Sequence, residues 1–294
     1  MKLVELRPGW RTDFTLHRVA AEVAERPDCV VVRTPGNPNF YWGNCLLLAA
    51  PPRDDELAHW LQRFDDEIAS RQPASQHVAL GVNTPYAGEQ LPLWQAAGFE
   101  LHVNAVMRLE PGELRAPPRP KQAAVQVRPM VWDGPGSEID AHIELQCADT
   151  HGFEPVGYRA YRRRAFDSYA RLHAQGLCEW FGVWVGAGEG GAGRPVLAAD
   201  CGLLRDHASP GATGRFQRVA THPQWRRLGL CSALVHHVSR HAFEAWGTGE
   251  VIMIADPSDV AIGIYRSLGY REFEREWCLE RRAPQDRLRG PASA

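Results

Sequence analysis

The stretch that decides the fold of this sequence is RFQRVATHPQWRRLGLCSALVHHVSRHAFEAW, residues 215–246. Its first residues are expected to form a strand that ends at Thr221, and Pro223 then stops further pairing. An amphipathic helix is predicted from about Leu230 to Trp246. The inner face of this helix is expected to consist of Leu230, Leu234, Val238 and Ala242. The stretch therefore predicts a strand, a basic turn and a helix with one buried side.

The turn between the strand and the helix, residues 226–231, has the chemistry of an anion-binding site. Backbone N–H groups at a helix N-terminus have no partner inside the helix, and the helix dipole places partial positive charge there. Gly229 lets a ligand approach the backbone closely, and Arg226 and Arg227 add two charges. These properties predict a pyrophosphate ligand at the start of the helix.

The same run resembles the acetyl-CoA signature of the GNAT N-acetyltransferase superfamily, Q/R-x-x-G-x-G/A after the fourth strand. Arg226 fills its first position, Gly229 its first glycine, and Cys231 stands where the family has a small residue. VRPM at 127–130 is similar to the opening strand of that fold. ADPSDVAIGIYRSLGY at 255–270 is similar to its fifth strand and fourth helix. The resemblance covers the second half of the chain with several motifs in order.

The resemblance implies that acetyl-CoA, as co-substrate, lies in a V between the strands at 215–221 and 251–255. Backbone groups of the first strand would pair with the pantetheine amides, and amides of the turn would hold the pyrophosphate. The implied coenzyme-binding residues are Val219, Ala220, Thr221, Arg226, Arg227, Leu228, Gly229, Leu230, Cys231, Ser232, Asp256 and Tyr265. No metal ion is expected in this site.

Tyr265 stands where members of the family place a tyrosine near the coenzyme A sulfur, so the resemblance implies that it is the general acid for the departing thiolate. A phenol keeps its proton at neutral pH and can donate a hydrogen bond to a developing thiolate. The alternative is that Tyr265 is a core aromatic residue, like its counterpart Trp94 in the first half. The implied reaction is direct transfer of an acetyl group to a primary amine, without a covalent enzyme intermediate.

The sequence leaves the general base open among three residues. Many family members carry a glutamate on the fourth strand, but RFQRVAT contains none. Asp200 lies in the apolar run LAADCGLL. Burying an isolated carboxylate costs free energy, so Asp200 is expected to have either a hydrogen-bonding partner or a catalytic role. His222, just before Pro223, is a second candidate. Asp256 follows the fifth strand and is the third, although capping of the next helix is the favoured role.

Alternating strands and helices predict an α/β fold, with mixed sheets flanked by helices in two GNAT-like domains. The proline-rich run EPGELRAPPRPKQ predicts a stiff, extended linker between them. The expected division is a degenerate GNAT-like domain at 1–110, the linker at 111–124, the acetyl-CoA-binding domain at 125–282 and a flexible tail at 283–294.

The first half carries a weak copy of the second. LPLWQAAGFELHVNAVMRLE at 91–110 aligns with IGIYRSLGYREFEREWCLER at 262–281, and in both a helix ends at a glycine before an aromatic residue opens a strand. The copy has no anion-binding turn, because AAPPRDDELAHW at 49–60 carries prolines and carboxylates instead. Nearer the N-terminus, a strand is expected at 2–6 and a helix at 13–26.

Composition limits the partners of this protein. The chain has 294 residues and a formal net charge of −2, so no strong field favours nucleic acid or an anionic membrane. Its seven cysteines form no C-x-x-C pair, which is typical of reduced thiols in the cytoplasm. No apolar stretch approaches the roughly 20 residues that cross a bilayer. We expect a cytoplasmic monomer or homodimer that acts on a small-molecule amine, with neither nucleic acid nor membrane as a partner.

Two further motifs have ordinary explanations. GAGEGG at 186–191 satisfies the dinucleotide pattern G-x-G-x-x-G, but a strand rather than a helix is predicted after it, so a hairpin loop is expected. His237, His241 and Glu244 fall on one helix face, where a solvated face is favoured over a metal site because the HExxH pattern is absent.

A second hypothesis is a non-catalytic acyl-CoA-binding or regulatory protein. The missing glutamate on the fourth strand favours it, whereas the retained Tyr265 argues against it. The tandem plan is also similar to that of mycothiol synthase, an acetyltransferase, which is a third alternative. The acceptor is left open by the sequence.

Overall fold

The computed structural model describes residues 1–122, 124–186, 195–206 and 212–287. The first half contains α1 (Pro8–His17), β1 (Glu22–Glu25), β2 (Cys29–Arg33), β3 (Cys45–Leu48), α2 (Leu57–Phe64), β4 (Val78–Val82), α3 (Pro92–Ala96) and β5 (Glu100–Leu109). The second half contains β6 (Val125–Pro129), α4 (Ile139–Cys147), α5 (Pro155–Ala174), β7 (Cys178–Val185), β8 (Val196–Asp206), β9 (Thr213–Thr221), α6 (Leu230–Glu244), β10 (Glu250–Ala255), α7 (Ala261–Ser267), β11 (Arg271–Arg281) and α8 (Pro284–Arg287). The predicted α/β class, with a mixed sheet and flanking helices, is confirmed.

The chain folds into two compact units, and neither is continuous in sequence. The first unit consists of residues 1–106, 151–165 and 274 onward, and the second of residues 107–150 and 166–273. Each unit therefore includes chain from both sides of the proline-rich segment. The functional division into a degenerate and a coenzyme-binding domain stays a prediction.

The first unit is built on strands in the order β1-β2-β3-β4-β11. Its pairs are antiparallel except β3 with β4, and β11 joins β4 with Trp277 opposite Val82. Successive strand residues face opposite sides of a sheet, so two apolar layers form. One packs against Phe64 of α2 and the other against Trp10 of α1. Trp60 and Phe64 of α2 are buried in the first of these layers, together with Ile68 just beyond the helix.

The N-terminal prediction was wrong in its boundaries. Residues 2–6 do not form a strand, because Leu3–Glu5 is a single 3-10 turn. The helix expected at 13–26 is α1, which begins earlier at Pro8 and ends at His17. Proline at the first helical position loses no hydrogen bond and starts α1 there. Residues 22–25 are strand β1 instead.

The second unit is built on strands in the order β10-β9-β8-β7-β6. Only β9 and β10 are parallel; the remaining neighbours run antiparallel. Helix α6 packs its apolar face on this sheet. The four residues predicted for that face, each at most 1% exposed, are Leu230, Leu234, Val238 and Ala242.

The C-terminal segment is ordered for longer than expected. A flexible tail was predicted from residue 283, but Ala283 is 2% exposed and directly precedes a short helix, α8. Tyr41 donates a hydrogen bond to Asp286 Oδ2 at 2.6 Å, and Ala283 N–H donates to the Tyr41 hydroxyl at 2.9 Å. Both contacts lie within the first unit and anchor residues 283–287. Residues 288–294 lie outside the described residues, as do 187–191 of the glycine-rich loop.

The described residues include no helix long and apolar enough to span a bilayer. In the same part of the chain, no three His, Cys, Asp or Glu side chains are grouped so that they could hold a metal ion.

Candidate active site

The centre of the candidate site is the place where the parallel strands β9 and β10 part. They pair over three residues only, from Thr213 opposite Glu250 to Arg215 opposite Ile252. Strand β9 then continues for six residues to Thr221 and β10 for three to Ala255. The β9 residues are buried up to Phe216 and partly exposed beyond it. The pairing of β9 with β10 therefore ends where the resemblance places the V for a pantetheine chain, and binding of the coenzyme there stays a prediction.

A β-bulge lies in β9 beside this opening. Asp200 of β8 faces Ala220, and Gly202 faces Gln217, so two residues of β9 stand opposite Cys201 alone. Arg218, one of these two, has φ +48°, a left-handed conformation that is uncommon for a residue with a Cβ. Bulges end regular pairing and turn backbone groups in new directions, and they are frequent next to active sites.

The basic turn follows β9 and begins helix α6 as predicted. Gly229 is the N-cap residue with φ +82°, and Arg227 is also left-handed, with φ +63°. The first N–H groups of α6 have no acceptor within the helix, so this end attracts an anion. Arg226 is engaged elsewhere: its guanidinium donates to Asp149 at 2.7 Å and to the Thr221 carbonyl at 3.3 Å. The exposed Arg227 is the arginine available at the turn.

Tyr265 lies on α7 and is 6% exposed. Burial raises the pKa of Tyr265 above its usual range, and the electrostatic influence of Cys231, Asp259 and Cys201 raises it further. The phenol therefore keeps its proton at any physiological pH. The Tyr265 ring lies 6.2 Å from that of Tyr270, measured between ring centroids.

The two cysteines around Tyr265 are poor nucleophiles. Desolvation raises the pKa of the Cys231 thiol to about 12, and burial raises the pKa of Cys201 well above its usual value. Since the thiolate is the reactive form of cysteine, neither side chain is activated for attack on an acyl group.

The three candidate bases lie in different surroundings. Asp200 is fully buried, and its Oδ2 atom accepts hydrogen bonds from three donors. These donors are His142 Nδ1 at 2.9 Å, Gln146 Nε2 at 2.7 Å and Trp180 Nε1 at 2.9 Å. His222 is half-buried at the end of β9, and its Nδ1 accepts from Gln224 N–H at 3.3 Å. Asp256 accepts from the backbone and hydroxyl of Ser258 at 2.8 and 2.7 Å, which is a turn-capping role.

Sequence reasoning missed the partners of Asp200 on α4. His142 and Gln146 are four residues apart, so they share one helix face, and both are at most 1% exposed. Two polar residues at this spacing among apolar neighbours were the available signal. Gly182 of β7 stands opposite Asp200, and a Cβ there would come within 3.2 Å of His142 Cε1. A Cβ there would come still closer to Leu197 and Trp184, so the glycine makes room for all three side chains.

Residues 179–272 match the family model of the acetyltransferase (GNAT) domain. These residues belong to the GNAT superfamily. The GNAT match runs from β7 into the start of β11 and includes the opening, the bulge, the basic turn and Tyr265. No curated protein matches the chain significantly.

Solved structures share the fold over nearly the whole chain. A conserved protein of unknown function from Staphylococcus epidermidis is 15% identical, with a TM-score of 0.70, over 90% of this chain and 94% of that one. A GCN5-related N-acetyltransferase from Kribbella flavida is 15% identical, with a TM-score of 0.59, over 92% of each chain. A GCN5-related N-acetyltransferase from Sphaerobacter thermophilus is 18% identical, with a TM-score of 0.52, over 93% of this chain and 78% of that one. At these identities the likeness establishes the fold alone.

Proposed function

We propose that this GNAT protein transfers an acetyl group from acetyl-CoA to the primary amine of a small molecule. The observation that carries the proposal is the opening of the parallel pair β9–β10 directly before the left-handed Gly229 turn of α6. An opened strand offers backbone groups to the amides of a pantetheine arm, and the helix N-terminus offers N–H groups to a pyrophosphate. The two features are joined by the seven residues from 222 to 228, so one ligand can meet both.

The residues present fit coenzyme A. The free edge of β9 between Val219 and Thr221 suits the pantetheine amides, and the amides of residues 227–232 suit the pyrophosphate. Bound acetyl-CoA supplies a thioester whose carbonyl carbon is open to attack by an amine. The chain supplies orientation along β9, positive potential at the start of α6 and a proton on the Tyr265 hydroxyl.

The proton balance assigns two roles to the protein. The acceptor must lose a proton before or during attack, and the sulfur must gain one when the C–S bond breaks. Tyr265 is suited to the second role, because its raised pKa keeps it protonated in a buried position. The products are an N-acetylated amine and free coenzyme A, with no acyl-cysteine intermediate.

His222 or Asp200 would act as the base that takes the proton from the acceptor amine. His222 is half-buried at the C-terminal end of β9, where an acceptor or a water molecule can reach it. Asp200 is fully enclosed and already accepts three hydrogen bonds on one oxygen. The contacts therefore favour His222 as the base that contacts the acceptor, and they favour Asp200 as a residue that fixes β8 beside the bulge.

Coenzyme binding is tested by calorimetry with acetyl-CoA and coenzyme A. Gly229→Glu places a carboxylate at the start of α6 and should abolish binding, because like charges repel at the turn. Arg240→Glu makes a charge change of the same sign on the exposed side of the same helix and should leave binding intact. Unchanged affinity in Gly229→Glu would overturn the placement.

Catalysis is tested by release of free coenzyme A thiol over a panel of amines, amino acids and aminoglycosides. Turnover with at least one amine, lost in His222→Ala, is the expected result. The enclosure of Asp200 and the absence of a carboxylate on β9 favour a second function, binding of acyl-CoA without transfer. Tight coenzyme binding with no turnover for any amine would favour that function.

A further inference from the structure

The proline-rich segment is held against the rest of the second unit, and we call its residues 111–121 the strap. The strap begins with a 3-10 turn, Pro111–Glu113. Arg115 N–H then donates to the Leu268 carbonyl at 3.0 Å, and Lys121 N–H donates to the Leu228 carbonyl at 3.0 Å. The strap is therefore tied by its backbone near both ends, where only a free linker was expected from the sequence.

The two points of attachment belong to the two helices that frame the candidate site. Leu228 lies in the basic turn, immediately before the N-cap residue of α6. Leu268 is the C-cap residue of α7, the helix that carries Tyr265. One continuous segment thus contacts both the proposed pyrophosphate turn and the end of the helix that holds the proposed acid.

Two glycines allow the strap to come this close. A Cβ on Gly269 would collide with the Glu113 carbonyl oxygen, and a Cβ on Gly229 would lie 3.3 Å from Pro120 Cα. The counterpart of Gly269 in the first half is Gly98, which has a left-handed φ of +84°, but a Cβ on Gly98 would meet no atom within 4 Å. Gly269 is therefore required by the strap as well as by its backbone angle.

We propose that the strap is a positioning element of the coenzyme site. It holds the basic turn and the end of α7 in the arrangement that binds acetyl-CoA. The turn contains left-handed Arg227 and Gly229 within three residues, a conformation that needs outside support to persist. Support from a fixed segment lowers the entropic cost of binding, which is the general effect of preorganisation. The proposal rests on the proposed function of the same site.

A pair of substitutions at Lys121 separates the backbone from the side chain. Lys121→Pro removes the N–H that donates to Leu228, whereas Lys121→Ala removes the exposed ammonium group and keeps that N–H. Lys121→Pro should weaken binding of coenzyme A, measured by calorimetry, by about five- to tenfold. Lys121→Ala should bind coenzyme A more tightly than Lys121→Pro, because it keeps the N–H that donates to Leu228.

A second pair uses the repeated glycine. Gly269→Ala and Gly98→Ala both impose left-handed strain, but only the first collides with the strap. Gly269→Ala should weaken coenzyme A binding and Gly98→Ala should leave it unchanged. In both pairs, hydrogen exchange of Ala233 without ligand reports on the turn, because its N–H donates to the Gly229 carbonyl at 3.1 Å. It should be faster by about tenfold in Lys121→Pro than in Lys121→Ala.

The outcomes separate the strap from the proposed function. Failure of the wild-type protein to bind coenzyme A would refute the function, while the exchange rates would still decide whether the strap holds the turn. Wild-type affinity and wild-type exchange in Lys121→Pro would overturn the positioning role. Loss of folding in both Lys121→Pro and Gly269→Ala would also overturn it, because the strap would then stabilise the whole unit and not the coenzyme site.

Discussion

The Nδ1 atom of His142 lies 2.9 Å from the Oδ2 atom of Asp200, and neither side chain is exposed to solvent. Gln146 and Trp180 donate to the same oxygen. One carboxylate thus joins helix α4 to strands β7 and β8, next to the bulge of the candidate site. The Asp200 carboxylate therefore has a structural role in the folded protein.

Replacement of Asp200 by alanine should lower the free energy of unfolding by about 3–5 kcal/mol, because three buried donors lose their acceptor. Asp200→Asn keeps an oxygen in place and should cost less. The measurement is the urea unfolding midpoint. Asp149→Ala, which breaks the half-exposed ion pair with Arg226, is the control and should cost at most about 1 kcal/mol. Equal midpoints for Asp200→Ala and wild type would contradict the buried network.

Tyr265→Phe should reduce kcat for acetyl transfer about 100-fold or more, because the leaving thiolate loses its proton donor. The ring still packs, so the affinity for coenzyme A should stay the same. Tyr270→Phe is the matched control, since its buried hydroxyl pairs with Ser239 at 2.7 Å. An equal fall in kcat for both variants would show that packing, and not a proton on Tyr265, limits turnover.

His17 makes stability depend on pH. Burial lowers the pKa of His17 to about 4, against the opposing charge of Asp13. The unfolded chain, with a histidine pKa near 6.5, takes up this proton first as the pH falls. The stability that neutral His17 contributes is therefore complete above about pH 6.5 and is lost towards pH 4, up to about 3 kcal/mol.

A comparison of variants isolates this effect, because other groups also titrate. Burial raises the pKa of Glu280 to about 7, so its contribution has the opposite sign and is lost as the pH rises from about 4.5 to 7. Burial also lowers the pKa of His77 to about 4. Unfolding free energies of wild type and His17→Gln, measured from pH 7.5 to 4.5, should converge as the pH falls. Parallel curves would mean that His17 is not buried in its neutral form.

Tyr41→Phe should destabilise the first unit by about 1–2 kcal/mol, because Asp286 and the Ala283 N–H lose a partner while the ring still stacks on His77. Thermal unfolding measures the loss. Tyr86→Phe, a half-buried tyrosine packed on Trp277, is the control with a smaller expected change. A Tyr41→Phe variant as stable as wild type would indicate that α8 is held by other contacts.

Local sequence signals predicted the elements of the candidate site well. The apolar spacing of α6, the glycine N-cap and the helix with Tyr265 each depend on residues within about one turn of each other. The glycine that ends the helix before Tyr270, Gly269, was predicted for the same reason. The role of Tyr265 as general acid and the identity of the general base stay predictions, because they depend on contacts with the substrates.

Features that depend on distant residues were not readable. No local pattern tells that Asp200 meets His142 of another element, or that Lys121 bonds to Leu228. The attachment of residues 110–122 could not be predicted either. Prolines favour an extended chain whether that chain is free or bound to a surface. Whether this segment is held depends on which carbonyl groups elsewhere in the fold lie within reach of its N–H groups.

Strand β4 lacks one of its two neighbouring strands until β11 has been synthesised. Val82 pairs with Trp277, so a ribosome adds about 195 further residues, on the order of 10–40 seconds of synthesis, before β11 exists. Until then the buried strand β4 has an open edge, which in a growing chain is a site for chaperones or for aggregation. The first unit can therefore complete its sheet only long after β4 has been synthesised.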